Sequence, residues 1–175
     1  MFMSSPSTQD TKLNIRQLAE LAILAALTFS GKVALSFIPN VHPVALMLMA
    51  MTVVYGAKAF YGVAVYVALE LICYGFGIWS ISYIYVWPLL AAMTLLTASE
   101  GSRLVWAAIA ALHGFLFGAF CSIPYFISGG WSYGLSYWVA GIPYDLIHGV
   151  SNAVIVFFLV EPVIKIIRKV RNSFQ

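Results

Sequence analysis

Charge is what this chain has least of. Nine Lys/Arg and six Asp/Glu make 9% of 175 residues, against about 25% in an average soluble domain. A soluble fold of this length could not hide the apolar remainder, because much of a small domain must face water. Cysteine is also scarce. Cys73 and Cys121 lie in apolar stretches with no CxxC and no metal-ligand spacing, so they read as buried thiols rather than a disulfide framework or a metal site. There is no GxxxxGK[ST], no HExxH and no GxSxG. The chain therefore carries no P-loop, zinc-protease helix or nucleophile elbow of its own. Its basic residues form no stripe interleaved with exposed aromatics, which excludes the usual nucleic-acid footprint. Residues 1–12 are polar and small and lack the basic start and apolar run of a secretory signal; 1–14 are expected to be a disordered tail.

What is there is apolar: 62% of residues are hydrophobic, and the mean hydropathy is +0.94. About 20 mostly apolar residues cross a hydrocarbon core of about 30 Å, and turn signals divide the chain into six such runs. The pattern predicts spans at 15–38, 41–55, 60–74, 81–97, 104–127 and 137–167, with breaks at Pro39-Asn40, Gly56-Ala57-Lys58, Gly75-Phe76-Gly77, 99–103 and Gly129-Gly130. The expected fold is all-α, an integral membrane bundle of six transmembrane helices over 15–168, with cytoplasmic tails at 1–14 and 169–175. Six spans place both termini on one side. Lys12, Arg16, Lys58, Arg103, Lys165, Arg168, Lys169 and Arg171 then share that side, eight of the nine basic residues. The positive-inside bias makes it the cytoplasm.

On this topology the aromatics are lopsided. Tyr74, Trp79, Tyr83, Tyr85, Trp87, Trp131, Tyr137 and Tyr144 crowd the outer ends, and only Trp106 among five tryptophans is cytoplasmic. One reading is an interfacial belt, although a belt should populate both faces. The other is an outward-facing ligand site lined by aromatic faces. Ionisable residues within spans are costly and mark function or structural pairing. Asp145, His148 and Asn152 fall at i, i+3 and i+7 and share one helix face that must point inward. Lys32, Glu70 and His113 form a second intramembrane set, with Glu70 or Asp145 as the expected counter-ion of Lys32. Asn40 and His42 either touch ligand or cap helix ends. A metal-dependent hydrolase using these groups lacks tight ligand spacing, so no metal and no catalytic residues are expected. Small residues mark a further surface: Ala22 and Ala26 form an Ala-x-x-x-Ala pair with Ala19 one turn earlier, and Gly114 and Gly118 form another. Such pairs let helices approach closely in lipid.

The strings ALSFIPNVHPVALM, LELICYGFGIWSISYIYVWPLL and GGWSYGLSYWVAGIPYDLIHGVSNAV resemble the substrate-binding S components of energy-coupling factor transporters. The similarity runs from Arg16 to about Ile167. The resemblance implies a non-catalytic capture subunit that holds a vitamin in an outward pocket. It also implies docking through Ala19, Ala22 and Ala26 on a transmembrane coupling protein driven by two cytoplasmic ATPases in a prokaryotic cell membrane. Within the family the chain looks nearest to lactobacillar components linked to cobalamin. The same aromatics would also suit a queuosine precursor, pantothenate, hydroxymethylpyrimidine or folate. A stand-alone secondary transporter, coupled through Lys32, Glu70 and Asp145, is the competing expectation.

Overall fold

The computed structural model describes residues 13–98 and 101–173, and every regular element among them is helical. The order is α1 (Ile15–Ala34), α2 (Val44–Tyr55), a 3-10 turn (Gly56–Lys58), α3 (Ala59–Tyr74), α4 (Ile78–Leu96), α5 (Arg103–Phe115) and α6 (Phe117–Asn172). Four helical stretches, Ile15–Ala34, Val44–Tyr74, Ile78–Leu96 and Arg103–Asn172, are long and apolar enough to cross a membrane. Lys12 and the rest of 1–12, Ser99, Glu100, and residues 174 and 175 lie outside the described residues. The remainder of the expected tails is ordered into the fold. Leu13 packs on the core, and Asn14 caps α1 by accepting the Gln17 N–H at 2.7 Å. Helix α6 continues past 168 to Asn172.

Contacts between helices fix their directions. Tyr55 reaches Glu20 while Pro43 lies against Gly31, so α2 runs antiparallel to α1. Lys58 reaches Gln17 and Lys32 reaches Glu70, so α3 runs parallel to α1 and the chain reverses between α2 and α3. Gly56, at φ 60°, makes that reversal. Tyr85 bonds the Phe120 carbonyl and His113 the Val86 carbonyl, setting α4 antiparallel to the α5–α6 junction. Helix α2 lies at the centre, in contact with α1, α3, α4, α5 and α6. Ten of its twelve residues are buried, which explains why it has no polar face and no helical periodicity to read.

Helix α6 is not straight. Gly130 has φ 77° and ψ −174°, and residues on either side of it meet: Tyr125 stacks on Tyr137 with ring centroids 3.8 Å apart, and Asp145 accepts the Gly118 N–H at 2.9 Å. The first limb (117–129) and the second limb (131–172) are thus an antiparallel hairpin. The loop expected between 127 and 137 does not exist; one glycine in the left-handed region reverses the chain, and helix resumes at Trp131. Helix α1 ends at Ala34, short of the expected 38, where Ser36 N–H turns back to the Val33 carbonyl at 3.1 Å.

The seam between the second limb and the arm formed by α5 and the first limb is made of glycine. A Cβ on Gly114 would lie 2.7 Å from the Gly149 Cα, and one on Gly118 would collide with the Asp145 carboxylate. The Gly114/Gly118 pair therefore serves packing within the chain. Gly114→Val should lower stability by about 1–3 kcal/mol through overpacking, read as the melting temperature in detergent. Gly141→Ala, where an added methyl meets nothing within 4 Å, should leave it unchanged or raise it.

Candidate functional site

A cavity of about 460 Å³ opens between the α1–α2 connection and the two limbs of α6. Pro39 and Asn40 come from the connection, Phe117, Gly118 and Cys121 from the first limb, and Tyr137, Ala140, Gly141, Tyr144 and Asp145 from the second. Asn40 is held in place at φ 56°. Its amide donates to the Tyr144 carbonyl at 3.1 Å, and its own carbonyl accepts from Ser151 Oγ at 2.9 Å. Asp145 spends Oδ1 on the Gly118 N–H and leaves Oδ2 buried, with no partner among the described residues. A buried carboxylate oxygen without a donor is costly, and Asp145 is part of the cavity lining.

Behind Phe117 the site continues as a column of rings. His148 lies 4.8 Å from Phe117 and 5.0 Å from His42 between ring centroids. His42 in turn faces Trp87 edge-on. Trp87 touches Tyr66, Tyr83, His113 and Phe117. Among the described residues, neither ring nitrogen of His148 has a partner, nor does Nδ1 of His42. His42 precedes α2, and burial, reinforced by Lys32, lowers its pKa to about 4, so it is neutral at pH 7. His113 donates Nε2–H to the Val86 carbonyl at 3.0 Å.

At the far edge of the column Lys32 pairs with Glu70 at 2.6 Å. Glu70, not Asp145, is therefore the counter-ion. Glu70 is 1% exposed, and the Lys32 ammonium also lies 5.2 Å from the Tyr74 ring and 5.6 Å from that of Tyr83.

Of the residues singled out from sequence, Asn40, Tyr137, Tyr144 and Asp145 line the cavity, and His42, His148, Trp87, Tyr83 and His113 form the column behind it. Trp79 packs on Tyr83 at 5.1 Å. Asn152 shares the buried face with Asp145 and His148, as its spacing predicts, but its amide is directed to the Ala110 carbonyl at 3.4 Å. The Tyr85 hydroxyl is engaged with the Phe120 carbonyl at 2.6 Å. Tyr74 is exposed beside Lys32. Trp131 is 75% exposed and packs on Phe126; the continuous helix carries it about 20 Å along the axis from Tyr144. Phe117, Gly118 and Cys121 are cavity residues that sequence reasoning missed. Only Gly118 bore a signal, its small-residue spacing. Ala19 and Ala26 are exposed on α1, and Ala22 is half-buried.

Comparison of the chain with protein-family models, with curated proteins and with solved structures finds no match. The molecule is thus defined by its own geometry: among the described residues, helices alone, several of them suited to a membrane, and an aromatic-walled cavity lined in part by the half-satisfied carboxylate of Asp145.

The ion pair makes a stability prediction. Lys32→Met should cost about 3–5 kcal/mol by stranding the buried Glu70 carboxylate, whereas Lys32→Met with Glu70→Leu should recover most of that loss. Melting temperatures of the two variants in detergent give the comparison, and a single variant as stable as the parent would contradict it.

Proposed function

We propose that the chain is a membrane-embedded capture subunit for a small organic solute of the vitamin class, delivering it by docking on a coupling protein powered by two ATPases. The observation that carries this reading is the position of the cavity. It adjoins the connection after α1, whereas Arg16 at the start of α1 donates to the Arg171 carbonyl at 2.9 Å and lies with Lys58 at the other end of the bundle. We read the reversals at Gly56 and Gly130 as turns at the membrane faces, which divides the four long helical stretches into six crossings. The positive-inside bias then puts the basic end in the cytoplasm and the cavity outside. An aromatic-walled cavity of a few hundred Å³ with one or two fixed polar groups is typical of small-ligand sites.

Tyr137, Tyr144 and Phe117 would stack on a planar ring, and the Asp145 carboxylate would accept a ring N–H or hydroxyl. The volume suits a single heterocycle such as a queuosine precursor, a pyrimidine or a pterin. Cobalamin, the substrate the family resemblance favours, would need the 35–43 connection to swing away from the second limb. Ala19, Ala22 and Ala26 supply the small-residue face for the coupling protein.

Calorimetric screening of the purified protein against cobalamin, folate, pantothenate, hydroxymethylpyrimidine and queuosine precursors should find one tight ligand without ATP. Asp145→Asn should weaken it about tenfold or more. No binding across the panel would sink the capture reading. Ala22→Trp should leave that affinity intact and abolish uptake in cells. Uptake into liposomes by the chain alone, driven by an ion gradient, would instead favour a secondary transporter.

A further inference from the structure

The cavity is poor in positive charge. Among the described residues that line it, Asp145 is the one carboxylate, and none is Lys, Arg or His. Its Oδ1 accepts the Gly118 N–H at the start of the first limb, where a helix N-terminus favours the charged form of a carboxyl. The basic residues that could answer that charge lie elsewhere. Arg16 and Arg171 meet at the far end of the bundle, with Lys58 beside Gln17. Arg103 opens α5, about 20 Å of helix before Phe117. Lys32, in the last turn of α1, is spent on Glu70 at 2.6 Å. His42, behind the cavity, is neutral at pH 7, because burial, reinforced by Lys32, lowers its pKa to about 4.

The hydrogen-bonding groups are biased the same way. The Gly118 N–H is taken by Asp145, and Asn40 gives Nδ2 to the Tyr144 carbonyl at 3.1 Å. Two donors at the wall are thus already committed. The Asp145 carboxylate and Asn40 Oδ1 are acceptors only, while the hydroxyls of Tyr137 and Tyr144 can act either way. The rings of Phe117, Tyr137 and Tyr144 add π faces, whose negative quadrupole attracts a cation. Tyr125 stacks on one face of Tyr137 with centroids 3.8 Å apart, so Tyr137 can offer a ligand only its other face. Aromatic faces around one carboxylate, with acceptors in excess of donors, are complementary to an organic ammonium group. A ligand carboxylate would meet a like charge there, with no guanidinium or ammonium to bind it.

We infer that the cavity selects an aromatic heterocycle bearing a protonated amine and rejects ligands that bear a carboxylate. The inference rests on the capture reading and narrows it to one charge class. Of the candidate ligands above, an aminomethyl queuosine precursor meets the requirement, whereas pantothenate and folate do not.

The test is calorimetric titration of the detergent-purified full chain with three matched series of probes. Each series consists of the aminomethyl, hydroxymethyl and carboxylate forms of one ring: 7-deazaguanine, 4-amino-2-methylpyrimidine or pterin. In the series that binds, the aminomethyl form should bind about tenfold tighter than the hydroxymethyl form, the difference between a charge-assisted and a neutral hydrogen bond. The carboxylate form should not bind measurably. Asp145→Asn should erase the aminomethyl advantage and leave the hydroxymethyl form within about threefold of its parent affinity. Where that variant does not yield monodisperse protein, Tyr144, which is 52% exposed, serves instead. Tyr144→Leu should narrow the advantage about threefold, and Tyr144→Phe, which keeps the π face, should preserve it. Equal or tighter binding of a hydroxymethyl or carboxylate form would overturn the charge assignment, as would an Asp145→Asn variant that keeps the preference. Tight binding of pantothenate, folate or cobalamin in the vitamin screen would overturn it too, while the capture reading stood. No binding by any probe or vitamin would end both.

Discussion

The close approach of Gly114 to Gly149 is the contact on which the rest of the site depends. Two helical backbones meet there with no side chain between them, and this fixes the register of the α5–α6 hairpin along its whole length. One turn further along, that register sets Asp145 opposite Gly118. The chain is slightly broken at Leu116, where a helix start leaves N–H groups without intrahelical partners. Asp145 Oδ1 caps one of them. The carboxylate is thus held for a structural reason, and its second oxygen is left buried against Gly118 without a partner among the described residues as a consequence. Tyr137, two turns from Asp145, is set against Tyr125 by the same register.

From this seam the polar groups grade inward to an edge where opposite charges pair, although Glu70 Oε1 there also has no hydrogen-bond partner among the described residues. Asp145 carries one satisfied oxygen; His148 and His42 present ring nitrogens without partners; Trp87 and Tyr66 contribute rings whose polar atoms are likewise unengaged. The series ends at Lys32–Glu70, where the charges meet. Unsatisfied buried groups are expensive in a low-dielectric interior, and a column of them beside a cavity is more costly than a hydrophobic filling would be. The Lys32–Glu70 pair fits a structural role: it ties α1 to α3 far from the seam, and a buried pair of this kind stabilises mainly by not being broken. The unengaged groups nearer the cavity have no such structural return, which is why they, and not the ion pair, mark the candidate site.

Much of this was legible in the sequence because its signals are local. Apolar run length and Gly/Pro punctuation located the helices to within a few residues. The spacing of Asp145, His148 and Asn152 predicted their common buried face, and Glu70 was one of two counter-ions expected for Lys32. The failures are equally specific. Gly129-Gly130 has the composition of a loop, but only Gly130 adopts a positive φ, and Gly134 then packs its bare Cα against Phe126. That close packing lets helix resume at once and carries Trp131 away from the cavity. Phe117 and Cys121 could not be found because a lipid-facing and a cavity-facing apolar side chain look alike in one sequence. Tyr85 and Asn152 were sound candidates by polarity, but the backbone carbonyls that engage them belong to other helices.

The second limb of α6 joins the two ends of the molecule. It supplies Tyr144 and Asp145 to the cavity and, 26 residues later, Arg171 to the basic end of the bundle, about 39 Å away along a helix axis. Pro143 and Pro162 interrupt its hydrogen bonding, yet the buried positions Asp145, His148, Asn152, Val156, Val160, Ile164 and Ile167 keep an unbroken helical stripe against the bundle. A stripe of that length resists bending locally, because a kink would rotate one end's buried residues toward the outside. Under the proposed function, a change at the cavity is then more readily transmitted as movement of the whole limb, or of the whole bundle, than as a hinge within it. Such a movement would carry the cavity, the α1 alanine face and the basic end of the bundle together.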